Sequence, residues 1–200
     1  MTKKHDIIWI ETVDSTNSEA VRQISALDNL SVLSAISQSE GRGQRGNVWL
    51  SSPGKNLTFS IVLKYENYPL PKFRAADQAT ISAITSISVV ELLSNYGIKA
   101  KIKLPNDIYI NDKKICGILI EHAVKGEYLE HSIVGIGLNV NQCNFDVSLS
   151  NPTSIALCLN TQTQISTKDC LEHFMDIYKR NLHHLKEGRD FTELFKTMLA

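Results

Sequence analysis

The sequence predicts an α+β fold, with a mixed, mostly antiparallel sheet and helices packed on it. Two turn signals support this prediction, because Asn111-Asp112 and Lys125-Gly126 each separate two short apolar runs in the pattern of a β-hairpin. A meander of hairpins produces antiparallel neighbours and argues against a doubly wound parallel sheet. After Asn141 the pattern changes and helical periodicity takes over.

In the first half of the chain, three strands and two helices are expected. The strands cover 7–11, 32–37 and 57–63. The first helix follows the polar cluster 14–17, and the segment from Thr16 to Glu19 fits a capping box. The second helix covers 74–96 and ends at Gly97. Apolar residues cover most of its faces, so we expect it to be largely buried.

The second half is expected to contain four strands followed by three helices. The strands cover 98–104, 108–110, 115–122 and 129–140. The helices cover 154–159, 167–186 and 191–199. The longest of these is clearly amphipathic, and Gly188 ends it.

Composition is that of an ordinary globular protein, with 200 residues, 42% of them hydrophobic and 21% charged. The 21 basic and 21 acidic residues balance, so there is no electrostatic signal for general binding to DNA or to a membrane surface. No apolar run has the length of a membrane span, and residues 1–6 lack the apolar core of a signal peptide. Four scattered cysteines without a C-x-x-C pair indicate reduced thiols, so we expect a cytoplasmic protein.

The stretch from Gly41 to Trp49 is rich in glycine and arginine and lies between two predicted strands. Its glycines match the G-x-G-x-x-G dinucleotide fingerprint, but that fingerprint requires a helix at once, and the Pro53-Gly54 pair breaks one. Glycine backbone lets N–H groups approach an anion, and arginine matches phosphate with a planar fork of donors. The stretch therefore favours a phosphate- or nucleotide-binding loop, and a flexible surface loop is the alternative.

Four polar clusters fall at strand ends or helix starts, where a sheet presents binding groups. They are Ser15–Asn17, Gln38–Trp49, Lys103–Asp107 with Lys114, and Gly135–Asn139. None has the pattern of a catalytic nucleophile or the spacing of metal ligands. Cations, amides and glycine backbone suit a reaction governed by positioning and charge neutralisation, such as attack of a carboxylate on a nucleotide α-phosphate. The alternatives are a simple helix cap for the first cluster and a plain turn for the third.

Together these motifs resemble those of the biotin protein ligases. The stretch from Gly41 to Trp49 is similar to that family's signature loop, and 103–109 followed by 114–121 is similar to its second signature. The clusters 14–17 and 135–139 occur in the expected order. The resemblance implies a class II synthetase-like fold, that of a biotin–lipoate ligase catalytic domain. It also implies that ATP, carrying Mg²⁺, activates biotin as biotinyl-5′-AMP, and that a lysine of a biotin carboxyl carrier domain, of the acetyl-CoA carboxylase type, then accepts the biotin.

The resemblance assigns roles by position. The residues expected to bind biotin are Ser15, Thr16, Asn17, Gln38, Gly41, Arg42, Gly43, Gln44, Lys114 and Gly117. Those expected to bind ATP or the adenylate are Arg42, Gly43, Gln44, Trp49, Asn106, Asp107 and Asn139. Arg42 and Lys114 are the catalytic residues in this assignment, because they would offset the repulsion between a carboxylate and a triphosphate. No metal site built by the protein is expected, since Mg²⁺ would arrive on ATP.

The chain also departs from the family pattern. Gln44 and Asn47 stand where many members have basic residues, and Leu104 stands where tryptophan is common. We expect a single catalytic domain over residues 1–200, without an N-terminal winged helix-turn-helix or a C-terminal SH3-like barrel, and hence no DNA partner. Two other functions stay open: a lipoate or octanoyl ligase of the same fold, and a biotin- or nucleotide-binding module without turnover. A homodimer paired along an exposed sheet edge is compatible with the sequence but not required by it.

Overall fold

A computed structural model of the chain describes residues 6–65, 70, 72–105 and 107–200. Within these residues, seven strands form one sheet in the order β1-β2-β3-β7-β6-β5-β4, and only the β1–β2 pair is parallel. The strands are β1 (Ile7–Val13), β2 (Val32–Gln38), β3 (Leu57–Lys64), β4 (Lys101–Lys103), β5 (Asp107–Ile110), β6 (Lys113–Lys125) and β7 (Tyr128–Leu138). The α-helices are α1 (Thr16–Arg22), α2 (Ala79–Asn95), α3 (Ile155–Leu159), α4 (Thr167–Lys186) and α5 (Phe191–Thr197). The predicted mixed, mostly antiparallel sheet is confirmed.

The two faces of β3 show how the sheet separates the main core from a second, partly polar layer. Its odd-numbered residues from 57 to 63 are buried in the main core together with residues of α2 and α4. Successive side chains of a strand point to opposite faces, so the even-numbered residues face α1. There Val62 belongs to a small apolar cluster with Ala20 of α1. Thr58 and Ser60 are buried as well but polar, so this part of the α1 face offers hydrogen-bonding groups instead of apolar surface.

Helix α4 has the predicted bounds and packs its apolar side on the sheet. The ring of Phe174 lies 5.4 Å from the ring of Phe59 in an edge-to-face contact and 5.6 Å from the ring of Tyr178. These are the distances at which aromatic pairs attract each other. Among the described residues, no helix combines the length and the apolar character needed to cross a bilayer.

Two predicted element starts are wrong by three residues or more. Helix α2 begins at Ala79 and not at 74, because Ala75–Asp77 form a separate short 3₁₀ helix. Strand β4 covers only Lys101–Lys103 and not 98–104. The reason is that the backbone N–H of Ile98 still donates to the carbonyl of Leu93, at 3.0 Å, and so belongs to the end of α2.

The end of the chain closes one edge of the sheet. Helix α5 ends at Thr197 and not at the predicted 199, because the following residues pair with β4. The N–H of Ile102 donates to the carbonyl of Met198 at 2.8 Å, and the N–H of Ala200 donates to the carbonyl of Ile102 at 2.9 Å. These bonds satisfy backbone groups that an edge strand otherwise exposes.

Candidate active site

A cavity of about 200 Å³ lies on the α1 face of the sheet. The start of α1, the end of β2, the loop 41–49 and the middle of β6 and β7 surround it. The sequence-predicted residues on its wall are Ser15, Thr16, Asn17, Gln38, Arg42, Gly43, Gln44, Trp49, Asp107, Lys114 and Gly117. Gly41 and Asn139 are not on the wall, and Asn106 lies outside the described residues. Folding thus brings all four polar clusters together around one space.

The start of α1 presents the first cluster, with a cap that differs from the predicted one. The N-cap residue is Ser15 and not Thr16, because the hydroxyl of Ser15 accepts a bond from the N–H of Ser18. Glu19, the other half of the predicted capping box, instead accepts a 2.7 Å bond from Arg22. Thr16 is therefore inside the helix, where its buried side chain faces the sheet.

A buried polar network joins α1 to the sheet. Ser60 Oγ lies 2.8 Å from Thr16 Oγ1 and 2.6 Å from Asn17 Oδ1. The N–H of Thr16 donates to Gln38 Oε1 at 2.8 Å, and Asn17 Nδ2 donates to Glu121 Oε2 at 2.8 Å. Buried polar groups with satisfied hydrogen bonds hold a single arrangement, which is what recognition of a small polar molecule requires.

Sequence reasoning missed two members of this network, Ser60 and Glu121. The available signal for Ser60 was the polar pair Thr58 and Ser60 at alternate positions of an otherwise apolar strand. Glu121 stands at the end of the second signature, but nothing in the spacing of charges pointed to its partners.

Three glycines of β6 and β7 allow neighbouring groups to lie directly on the sheet. A Cβ atom at Gly135 would collide with the carboxamide of Asn17, and one at Gly137 would collide with the indole of Trp49. A Cβ at Gly117 would lie 3.0 Å from Trp49 Cζ3. The space above Gly117, a residue expected to bind biotin, is therefore occupied by the indole, and a ligand that passes there requires Trp49 to move.

The loop 41–49 is closed on itself. The N–H of Gly43 donates to the carbonyl of Asn47 at 2.7 Å, and the N–H of Trp49 donates to the carbonyl of Gly41 at 2.8 Å. Arg45 completes the turn with a positive φ of 54°. No helix follows, since the next regular element in the described chain is β3. The loop therefore lacks the helix N-terminus on which a dinucleotide pyrophosphate rests.

Both cations predicted to be catalytic lie on the wall, and each is paired with a carboxylate. Arg42 Nη2 and Nη1 donate to the two oxygens of Glu121 at 2.5 and 3.1 Å. Lys114 Nζ lies 2.7 Å from Asp107 Oδ2 and 5.9 Å from the centroid of the Trp49 ring. An anion that binds here must compete with these carboxylates for the cations.

The segment 151–153 holds the backbone at Lys114. The N–H of Lys114 donates to the carbonyl of Asn151 at 2.8 Å, and the N–H of Thr153 donates back to the carbonyl of Lys114 at 2.9 Å. Asn139 Nδ2 in turn donates to the carbonyl of Thr153 at 2.9 Å. Its buried Oδ1 has no hydrogen-bond partner among the described residues. Asn139 thus supports the segment that positions Lys114.

The site supplies hydroxyls, amides and cations, which can bind a molecule that carries polar ring atoms and anionic groups. Within the described residues, no three carboxylate, histidine or cysteine side chains form a group that could hold a metal ion. Cys116 lies in the main core on the opposite face, where burial raises the pKa of its thiol far above the usual range. It therefore stays protonated and is not a nucleophile of this site.

Residues 9–139 match the Biotin/lipoate A/B protein ligase family, and the chain belongs to this family. It is 32% identical over 149 residues to the bifunctional ligase/repressor BirA of Escherichia coli (strain K12), and the match covers 74% of this chain and 44% of that protein. It is 32% identical over 127 residues to the biotin–[acetyl-CoA-carboxylase] ligase of Paracoccus denitrificans, and the match covers 64% of this chain and 51% of that protein. The chain thus spans about half the length of these relatives.

Solved structures confirm the expected fold. The chain is similar to the biotin protein ligase of Aquifex aeolicus in complex with biotin and ATP, with a TM-score of 0.77 and 28% identity over 97% of this chain and 78% of that chain. The biotin protein ligase of Leishmania major in complex with biotinyl-5-AMP has the same fold, with a TM-score of 0.74 and 22% identity over 98% of this chain and 81% of that chain.

Proposed function

We propose that this chain activates biotin with ATP, forming biotinyl-5′-AMP and pyrophosphate, and transfers the biotin to a lysine of a biotin carboxyl carrier domain of the acetyl-CoA carboxylase type. The observation that carries the proposal is that Arg42 and Lys114 share one cavity with the buried network of Thr16 and Asn17. The names of the relatives, and the biotin and ATP bound in the similar Aquifex aeolicus enzyme, support these ligands.

Biotin recognition is assigned to the first cluster and Gln38. The ureido ring of biotin has two N–H donors and one carbonyl acceptor. Ser15, Thr16 and Asn17 carry hydroxyl and amide groups that can donate and accept, and all three are buried. Because Ser60 and Glu121 already orient Asn17, the binding groups need little reorganisation, which favours affinity.

The first reaction step needs two anions to meet. A carboxylate oxygen of biotin attacks the α-phosphorus of ATP, the bond to the bridging oxygen of the β-phosphate breaks, and pyrophosphate leaves with that electron pair. Arg42 and Lys114 offset the charge on the reacting oxygens, which is the main protein contribution in phosphoryl chemistry. In the second step, the neutral amine of the carrier lysine attacks the acyl carbon of the adenylate, the bond from that carbon to the phosphate oxygen breaks, AMP leaves with the electron pair, and the amine nitrogen releases one proton to solvent.

Mg²⁺ is assigned to the nucleotide and not to a cage of protein ligands. Mg²⁺ usually binds through one or two carboxylates together with substrate phosphates, where it neutralises charge. The cavity wall offers Asp107, which lies 2.7 Å from Lys114 Nζ. We therefore assign Asp107 first to holding Lys114, with a contact to Mg²⁺ only where the triphosphate brings the ion to this wall.

Biotin-dependent exchange of radiolabelled pyrophosphate into ATP tests the first step. We expect exchange with biotin and none with lipoate or octanoate. Exchange with lipoate alone would support the lipoate ligase, and no exchange with any of the three acids would favour a binding module. Transfer to a purified carrier domain, with a carrier whose acceptor lysine is replaced by arginine as the control, tests the second step.

Two further expectations accompany the proposal, namely action in the cytoplasm and no DNA partner, and pairing of two copies along a sheet edge is compatible with it but not required. The edge at β4 pairs with the end of the chain, so we assign the pairing to the β1 edge, where Ile8 and Trp9 are 37% and 40% exposed. Analytical ultracentrifugation of the chain and of a Trp9→Lys variant tests this assignment, because the charge would oppose pairing.

A further inference from the structure

Glu121 contacts two residues that belong to different halves of the proposed site. Its Oε2 accepts bonds from Asn17 Nδ2 at 2.8 Å and from Arg42 Nη1 at 3.1 Å, while Oε1 accepts from Arg42 Nη2 at 2.5 Å. Asn17 stands at the start of α1, and Arg42 stands in the loop 41–49. One carboxylate therefore joins the helix that is assigned to biotin and the loop that is assigned to phosphate.

The carboxylate is carried by a rigid part of the fold. Glu121 lies in the middle of β6, opposite Ile133 of β7 in the antiparallel ladder. Groups on strands hold their positions better than groups on loops. Other side-chain bonds of the loop 41–49 include those from Gln44 Nε2 to the carbonyl of Ile118, at 3.1 Å, and from Arg42 Nη1 to Ser18 Oγ, at 3.4 Å. The two bonds from Arg42 to Glu121 are shorter than its bond to Ser18 and involve a charged acceptor, so Glu121 is the stronger partner that sets the position of Arg42.

Stabilisation of the fold does not explain this arrangement. The side chains of Arg42 and Glu121 are 45% and 33% exposed, and ion pairs with that exposure contribute little to stability. Direct contact with substrate does not explain it either, since Glu121 is not on the cavity wall whereas Arg42 and Asn17 are. What the geometry does provide is a fixed distance between the two residues that line the cavity.

We propose that Glu121 is a positioning residue: it holds the Arg42 guanidinium in register with the Asn17 carboxamide, so that a biotin whose ring is bound at Asn17 presents its carboxylate to a phosphate bound at Arg42. This inference rests on the proposed function. It deepens that function by naming the group that couples the two substrate positions. Glu121 acts through Arg42 and Asn17 and does not itself touch the reacting atoms.

Glu121→Gln tests the inference, because glutamine keeps the shape but loses the charge and one acceptor. We expect kcat/KM for pyrophosphate exchange to fall about tenfold or more, as for a lost hydrogen bond to a charged group. The unfolding midpoint should change by less than about 2 °C, since the pair is exposed. Calorimetry should also show weaker biotin binding, because Asn17 Nδ2 keeps its bond to the carbonyl of Leu119, at 3.3 Å, but loses the charged acceptor that orients it. The matched control is Glu127→Gln, which breaks the exposed Arg74–Glu127 pair on the same hairpin and should leave all three quantities unchanged.

A double-mutant cycle with Arg42→Ala separates positioning from a merely structural role. If Glu121 acts through Arg42, then Glu121→Gln should reduce exchange much less in the Arg42→Ala background than in the wild type. Three outcomes would each overturn the inference. The first is an equal fold loss of exchange in both backgrounds, and the second is exchange by Glu121→Gln within about twofold of wild type. The third is a drop in the unfolding midpoint that accounts for the lost activity. Absence of exchange in the wild-type chain would instead refute the proposed function. In that case biotin binding by Glu121→Gln would still test the contact with Asn17.

Discussion

Replacing Gly135 by alanine tests whether Asn17 is held directly on the sheet. A glycine-to-alanine change inside a strand ordinarily stabilises by a few tenths of a kcal/mol up to about 1 kcal/mol, because alanine loses less backbone entropy on folding. At this position the new Cβ would overlap the carboxamide of Asn17. We therefore expect the opposite sign, a loss of stability.

The magnitude follows from what holds Asn17. Its side chain is buried, Oδ1 accepts from Ser60 at 2.6 Å, and Nδ2 donates to Glu121 at 2.8 Å. Forcing an extra carbon into a packed site costs about 1–3 kcal/mol. Displacing the carboxamide leaves at least one buried group unpaired, which costs about 1–3 kcal/mol more. After the gain in backbone entropy, we expect a net destabilisation of about 1–6 kcal/mol and a midpoint lower by about 2–20 °C.

Thermal unfolding and biotin calorimetry measure the two consequences of Gly135→Ala. Gly137→Ala is the matched control, since it lies on the same face of β7 but meets Trp49, a half-buried loop residue that can move outward. We expect Gly135→Ala to weaken biotin binding strongly and Gly137→Ala to affect it less. A Gly135→Ala protein that is as stable as wild type and binds biotin normally would refute the close packing of Asn17 on β7.

Three other predictions follow from the structure. Lys114→Ala should reduce pyrophosphate exchange by at least about a hundredfold, through loss of charge stabilisation, and should leave biotin affinity within a few-fold by calorimetry. Lys113→Ala, at an exposed neighbouring residue, is the control. Normal turnover of Lys114→Ala would show that the role assigned to Lys114 is wrong. Phe174→Ala should lower the free energy of unfolding by about 3–5 kcal/mol in urea, because its ring contacts Phe59 and Tyr178 in the core; a loss below about 1 kcal/mol would contradict that packing. Burial lowers the pKa of His122 below its usual 6.5, so the unfolded state binds more protons and the free energy of unfolding should fall as pH drops below about 6.5; His122→Gln should flatten that decline, and an unchanged pH profile would count against it.

Much of the fold could be predicted because local patterns agreed with tertiary packing. The amphipathic repeat of 167–186 marked α4 from end to end, and turn residues marked the hairpin between β6 and β7. Boundaries failed where a long-range bond took over from local preference. The segment that begins at Ala75 is good helical sequence, yet the backbone N–H of Ala75 donates to the carbonyl of Glu127, on the turn between β6 and β7, at 2.9 Å. Nothing within the segment itself encodes that partner.

The residues of the site also fall into those that local sequence predicts and those that depend on long-range contacts. Motif residues such as Arg42, Lys114 and Asn17 could be named because their types and spacing form a recognisable pattern. Their partners could not be named, because pairing across the sheet depends on strand order. Glu121 reaches Asn17 only because β6 lies beside β7 and α1 packs on β7. The parallel pairing of β1 with β2, which places α1 on that face, also leaves no signal in either strand alone.

Under the proposed function, the pairing of the two site cations explains how a chain with zero net charge would favour a polyanion. Arg42 and Lys114 each face one carboxylate, so the wall is locally neutral and attracts monovalent anions weakly. A triphosphate carries several charges and can outcompete a single carboxylate for each cation, whereas the lone carboxylate of biotin has no such advantage. This difference leaves biotin to be bound chiefly through its ring, at the neutral network of Thr16, Asn17 and Ser60. The cations are then available to ATP and to the transition state, in which the charges of both substrates are brought together.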